Sequence, residues 1–177
     1  MIKIYLTENI TTLDFETTGF SPVKNEIIQM GAVKYRNGVE IDRFEQFSEP
    51  FYPIPWKITQ ITGITNEMVM GAPPLAQTLR ELYGFLDGET IVAHNASFDM
   101  KFLYENLRRH DIDYNDFNVV DTVKLARQSI VGLPNYKLPT LKQFLNLDIG
   151  SHTAIEDCLV AGEVYYHCKN IQDKHHI

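Results

Sequence analysis

No stretch of the chain approaches the roughly 18 consecutive apolar residues that a membrane-spanning helix requires, and residues 1–12 lack the apolar segment of a secretory signal. A cytoplasmic protein with no membrane partner is therefore the expectation. Cysteine is scarce, with only Cys158 and Cys168 present. They share one helical pattern ten positions apart, about 15 Å at a rise of 1.5 Å per residue. A disulfide tolerates a Cα separation of only about 7 Å, so none can join them. Neither belongs to a C-x-x-C pair, and both read as ordinary small thiols. Internal repeats, low-complexity tracts and Gly/Ser-rich linkers are absent as well. The 177 residues are thus expected to form a single domain spanning residues 1–177, with its core at about 10–170 and a frayed polar tail.

Positive charge is also in short supply. Sixteen Lys and Arg stand against 23 Asp and Glu, a net charge of -7. A protein that serves as a stable nucleic-acid scaffold carries a basic face, and this composition argues against one. An enzyme that holds an anionic polymer briefly is not excluded.

What is present is patterned as α/β. Residues 10–16 alternate, with Leu13 and Phe15 on one face and Thr12, Asp14 and Glu16 on the other, the period of a strand. Thr17-Thr18-Gly19 ends it. Residues 26–35 and 39–47 flank Asn37-Gly38, a strong hairpin signal, so the second and third strands are expected to pair antiparallel. Helical spacing follows from Pro74 through Leu86 until Gly88 stops it. A short apolar strand at 90–94 leads into a helix over about 96–110. A fifth strand is expected at 118–120, with helices near 122–130, 139–145 and 154–170. Three strands in a meander followed by alternating strands and helices make a mixed five-stranded sheet, three antiparallel strands then two parallel, flanked by helices.

Three segments carry groups suited to chemistry. Asp14 and Glu16, two apart on a strand, project from one face and can converge on a hard cation. By itself such a pair also fits a solvated outer face. Asp99 lies in the first turn of its helix if Asn95 is the N-cap, a position the helix dipole favours. It also shares the core-facing stripe with Phe102 and Leu103, where an ionised group needs a partner. Thr153 and Glu156 match a capping box, which makes His152 the N' residue and Asp157 the N4 residue, two positions that touch across a helix start. A surface histidine beside a capping aspartate is the alternative for that pair.

Taken together, Asp14-Phe15-Glu16-Thr17-Thr18-Gly19, Asn95-Ala96-Ser97-Phe98-Asp99, and His152 with Asp157 five positions later resemble the three motifs of the DEDDh (DnaQ-like) 3'-to-5' exonucleases. The resemblance runs from about Thr12 to Tyr166. With Thr62-Gly63-Ile64 and Val92-Ala93-His94-Asn95 it is most similar to the proofreading exonucleases of bacterial replicative DNA polymerases, the epsilon subunit and the exonuclease domain of the type C polymerase. Thr11-Thr12 departs from the more apolar run usual before the first motif.

The resemblance implies a ribonuclease H-like fold and hydrolysis of terminal phosphodiester bonds at DNA 3' ends, releasing nucleoside monophosphates in proofreading or repair. Exoribonuclease action is the alternative, and a non-catalytic polymerase- or nucleic-acid-binding module a further one. It implies two divalent cations, Mg²⁺ or Mn²⁺, about 3.5 to 4 Å apart. Asp14 would lie between them, with Glu16 and Asp157 completing the first and Asp99 supporting the site. Such cations would offset the four carboxylate charges. His152 is the implied general base. The backbone at Thr17 would receive the terminal nucleotide, Phe98 and Ile64 would line its base and sugar, and Asn95 would also bind substrate. Core packing for Phe98, an ordinary apolar loop residue for Ile64 and an N-cap for Asn95 remain open readings of those side chains. Asp121 reads as a helix start, and Trp56 as a loop anchor over the core, with a base-stacking platform as its alternative. A DNA polymerase subunit is an implied partner.

Overall fold

The computed structural model describes residues 6–150 and 152–174. In chain order its elements are β1 (Ile10–Thr17), β2 (Ile27–Arg36), β3 (Val39–Phe47), α1 (Trp56–Thr62), α2 (Asn66–Val69), α3 (Leu75–Leu86), β4 (Thr90–Ala93), α4 (Ala96–Arg109), β5 (Asn118–Asp121), α5 (Thr122–Ser129), α6 (Leu138–Phe144) and α7 (Ala154–Lys174). The sheet has five strands in the order β3-β2-β1-β4-β5. The first three pair antiparallel, and β4 joins β1, and β5 joins β4, in parallel. This is the mixed sheet expected from the order of elements, in the ribonuclease H-like arrangement that the resemblance implied.

The alternation along β1 divides the core. Leu13 and Phe15 face Met30 and Ala32 and pack under α3 and α4. On the opposite face, Ile10, Val33, Val92 and Val120 pack against α5 and α7. Both threonines before the first motif are fully buried, and both hydroxyls are satisfied: Thr11 donates to Glu89 at 3.0 Å and Thr12 to the Val33 carbonyl at 3.4 Å. A hydroxyl at these positions therefore leaves no unpaired buried polar group. The hairpin forms as expected, with Asn37 and Gly38 both at positive φ, 52° and 76°.

Two short helices, α1 and α2, fall where the sequence carried no helical period. Seven and four residues long, they are too brief for a 3.6-residue repeat to register. They close a third apolar cluster of Ile28, Ile54, Ile58, Ile64 and Val69. Trp56 does not anchor over the core. It is the first residue of α1, whose buried positions are Ile58 and Thr62, and it stands 73% exposed. The terminal helix also continues past the expected end near residue 170, to Lys174. Lys169 anchors its last turns through Glu8 and Asp173.

The approach of α7 to the sheet depends on Gly31. A Cβ there would lie 2.6 Å from the Ala154 carbonyl carbon and 2.9 Å from its Cβ, and backbone cannot yield as a flexible side chain can. Gly31 stands opposite Asp14 in the β1–β2 register, so the same close approach brings the start of α7 over Asp14. Two hydrogen bonds secure it. The Ala154 N–H donates to Gln29 Oε1 at 3.1 Å, and the Cys158 thiol donates to the Gly31 carbonyl at 3.2 Å. Gly31→Ala is accordingly expected to destabilise the protein by about 1–3 kcal/mol through overpacking. Thermal denaturation measures this, and unchanged melting would mean that α7 can retreat freely.

Candidate active site

Three elements meet at the C-terminal end of β1. Asp14 and Glu16 project from that strand toward α7, which contributes Asp157 from its first turns. Each offers a carboxylate oxygen, and these oxygens lie within 4.8 Å of one another. Among the described residues, Asp14 Oδ2 is the one buried side-chain oxygen or nitrogen without a hydrogen-bond partner, although Asp14 as a whole is only part-buried. An unpartnered buried carboxylate oxygen is costly. Its convergence with two further carboxylates fits a hard cation with oxygen ligands.

Asp99 reaches the site from α4. It is 2% exposed, and its Oδ1 accepts the Phe15 N–H at 2.9 Å. The β1–β4 ladder stops at Thr12 and Val92, and the Phe15 amide lies beyond that end. The partner that Asp99 needs on the core-facing stripe is thus in part a backbone amide. Asp99 lies outside the three-carboxylate cluster.

Burial pushes the Asp14 carboxyl well above the ordinary aspartate range, and the charges of Asp99, Asp157 and Glu16 push it further. Glu16 rises to about 7, chiefly by burial and then by Asp157. Burial raises Asp99 to about 8 against the opposing pull of the Phe15 N–H. It also raises Asp157, where His152 opposes it. Without cations the folded state therefore retains protons that the unfolded chain releases between the ordinary glutamate value of 4.5 and about 7. Stability is then gained as pH falls through that window and lost as pH rises through it. In EDTA, the protein should melt higher at about pH 5.5 than at about pH 8, and Mg²⁺ or Mn²⁺ should raise the melting temperature more at the higher pH. Melting independent of pH in EDTA would mean that these carboxylates are ionised and solvated in the fold.

The capping box forms at Thr153. Its Oγ1 accepts the Glu156 N–H at 3.2 Å and donates to Glu156 Oε2 at 2.9 Å. The glutamate thus returns to the threonine hydroxyl rather than to its amide. His152, just before it, is exposed and has φ 85°, a left-handed conformation that a non-glycine residue holds at a cost of about 1–3 kcal/mol. His152 and Asp157 line one cleft of about 580 Å³ with Leu138, Pro139 and Lys142. His152 also borders a second cleft, of about 350 Å³, that Gln29, Ile64 and Met68 help to line.

The remaining candidates divide. Thr17 is buried where β1 ends, its hydroxyl donating to the Gly19 carbonyl at 2.6 Å. Phe98 is part-buried, packed 5.1 Å from Phe102 and edge-on to Phe20 at 6.4 Å. Ile64 is 2% exposed, and its side chain belongs to the third apolar cluster. Asn95 is not a side-chain cap. It sits at φ 61° and makes no capping hydrogen bond, and the first amide of α4, that of Ala96, donates to Asp121 Oδ2 at 3.2 Å. A left-handed residue does not hold the extended backbone from which an N-cap side chain reaches its helix.

The profile of the exonuclease family designated RNase_T matches residues 11–165. The chain belongs to this family. Among curated relatives it is 39% identical over 162 residues to the DNA polymerase III PolC-type protein of Halalkalibacterium halodurans, covering 91% of this chain and 11% of that protein. The corresponding Streptococcus thermophilus protein is 36% identical over 185 residues, covering 97% of this chain and 12% of the relative. The chain therefore spans about a tenth of the length of these relatives. Among solved structures, E. coli Exonuclease I in complex with a dA16 oligonucleotide superposes with a TM-score of 0.82 at 18% identity, covering 95% of this chain and 42% of that one. Exonuclease X in complex with 5' overhanging duplex DNA gives 0.73 at 24% identity, with 91% of each chain covered. This chain shares its fold with both solved structures. Among the described residues of this family member, no helix is long and apolar enough to cross a membrane.

Sequence reasoning passed over Phe20 and Gln29 and read only half of what Asp121 does. Phe20, directly after Thr-Thr-Gly, is 81% exposed beside Phe98. Gln29 is 3% exposed, and the available signal was a lone polar residue in an apolar run. Asp121 was read as the start of one helix and serves two.

Proposed function

We propose that this chain is a divalent-cation-dependent 3'-to-5' exonuclease that hydrolyses terminal phosphodiester bonds of DNA, at single-stranded or frayed ends, in proofreading or repair. The observation that carries the reading is the convergence of Asp14, Glu16 and Asp157 around a buried, unpartnered Asp14 oxygen. Asp14, Glu16 and Asp157 would hold one cation, with Asp14 shared toward a second and Asp99 supporting the site. Two such ions, Mg²⁺ or Mn²⁺, would supply Lewis acidity and positive charge at the scissile phosphate.

The protein's own groups do the rest. His152, exposed in the cleft that Asp157 lines, accepts the proton of the attacking water. The water oxygen bonds to phosphorus as the bond from phosphorus to the O3' of the preceding nucleotide breaks, and the departing oxygen takes a proton from solvent. The products are a nucleoside 5'-monophosphate and a strand one nucleotide shorter with a free 3' hydroxyl. Thr17 and Asn95 flank the place of the terminal nucleotide, and the Phe98–Phe20 pair offers it an aromatic face. Ile64 contributes through the backbone around it, its side chain being in the core.

The PolC-type relatives, named as DNA polymerases, support DNA as substrate and a DNA polymerase as companion, and the proposed place of action is the cytoplasm. Matched DNA and RNA oligonucleotides, digested in parallel with Mn²⁺ and resolved by chromatography, test the substrate. Faster release of deoxynucleoside 5'-monophosphates is expected. Preferential degradation of RNA would replace this reading with an exoribonuclease.

A further inference from the structure

We propose that Asp121 is a positioning residue for the reaction: its carboxylate fixes the first turn of α4 and, through it, Asp99. The inference rests on the hydrolytic reading above.

β4 and β5 end at the same level, Ala93 opposite Asp121 in their parallel register. Each strand then gives way to a helix, and the first N–H groups of a helix have no partner within it. One carboxylate serves both helices. Asp121 Oδ1 accepts from the Val123 and Lys124 amides of α5 at 2.8 and 3.4 Å. Its Oδ2 accepts from Ala96, the first residue of α4, at 3.2 Å. A negative group between two helix N-termini is also favoured by both dipoles.

The α5 half of this arrangement is an ordinary N-cap. The α4 half joins segments 25 residues apart, and α4 has particular need of it. Asn95 turns into the helix at φ 61° and provides no side-chain cap, so nothing in the local sequence fixes where that helix starts. A second link holds the same turn: His94 Nδ1 lies 2.8 Å from Thr122 Oγ1, and that hydroxyl donates to the Ala93 carbonyl at 3.4 Å. Asp99 comes three residues after Ala96 and is bonded to the Phe15 amide of β1. The start of α4 is therefore held from the β5 side by Asp121 and from the β1 side by Asp99. Loss of the first hold leaves the Asp99 carboxylate free to shift relative to Asp14 and Glu16.

Two substitutions separate the halves. Asp121→Asn keeps an oxygen for the α5 amides and turns an amide donor toward the Ala96 donor. Asp121→Ser caps α5 and is too short to span to Ala96. Both variants should melt within a few degrees of wild type. Each should lose roughly ten- to a hundredfold in kcat with little change in KM, the scale set by small misplacements at a reacting centre. Hydrogen exchange at the Phe15 amide should quicken at least about tenfold while Val123 keeps its protection.

Unchanged kcat in both variants, with active wild type, would overturn the proposal, leaving Asp121 a helix cap only. So would a fall in kcat with unchanged Phe15 exchange, because the effect would not pass through Asp99. Inactive wild type would instead sink the hydrolytic reading, and Phe15 exchange would still decide whether Asp121 holds Asp99.

Discussion

Asp14→Asn is expected to lower hydrolysis at least about a thousandfold, the equivalent of roughly 4 kcal/mol of transition-state stabilisation, and to raise the melting temperature of the metal-free protein. Both effects have one cause. Asp14 is the carboxylate on which Asp99, Asp157 and Glu16 all act, and its Oδ2 is buried without a partner. Ionised, it supplies the central charge for a cation. With no cation present, it is a liability to the fold. Asparagine keeps the shape and removes the charge. A gain of about 1 kcal/mol would raise melting by about 2–4 °C in a chain of this size. In EDTA the variant should therefore melt above wild type, and added Mn²⁺ should reverse the order by stabilising wild type more. A large loss of stability in EDTA would make Asp14 a structural residue and remove the basis for the cation site.

His152→Ala should reduce turnover about 10²- to 10⁴-fold, the usual contribution of a positioned general base. Its other effects should be small. His152 is exposed and stands outside the carboxylate cluster, so the rise in melting temperature with Mn²⁺ should match wild type. The combination of lost turnover and retained cation response distinguishes a base from a ligand. Turnover like that of wild type would remove His152 from the chemistry. Loss of the cation response would make it part of the metal site.

Most of the sheet was legible because its signals are local. Alternation marked β1, Asn37-Gly38 marked the hairpin between β2 and β3, and the apolar period marked α3 and α4. The start of α7 was legible in finer detail, since Thr153 and Glu156 determine which turn follows and hence where His152 and Asp157 fall. Contacts between distant segments were not legible. Nothing near Asn95 signals that a carboxylate 26 residues later takes the first amide of the helix. The burial of Ile64 depends on α1 and α2, which are too short to leave a period. Trp56 was misread for the same reason. Gly31 looks like any glycine in a strand until the start of α7 is laid against it. Asp99 was partly legible. Its stripe announced burial, whereas its backbone partner depends on β4 ending sooner than β1.

The carboxylate cluster, we propose, works with divalent cations to shorten nucleic acid from its 3' end. Digestion of a single-stranded DNA oligonucleotide labelled at its 5' end, with Mg²⁺, with Mn²⁺ and with EDTA, tests it most directly. The expected result is a ladder of labelled products shortening one nucleotide at a time in both metals, and intact substrate in EDTA. Full-length substrate in every metal condition, or the label released at once as a mononucleotide, would contradict it.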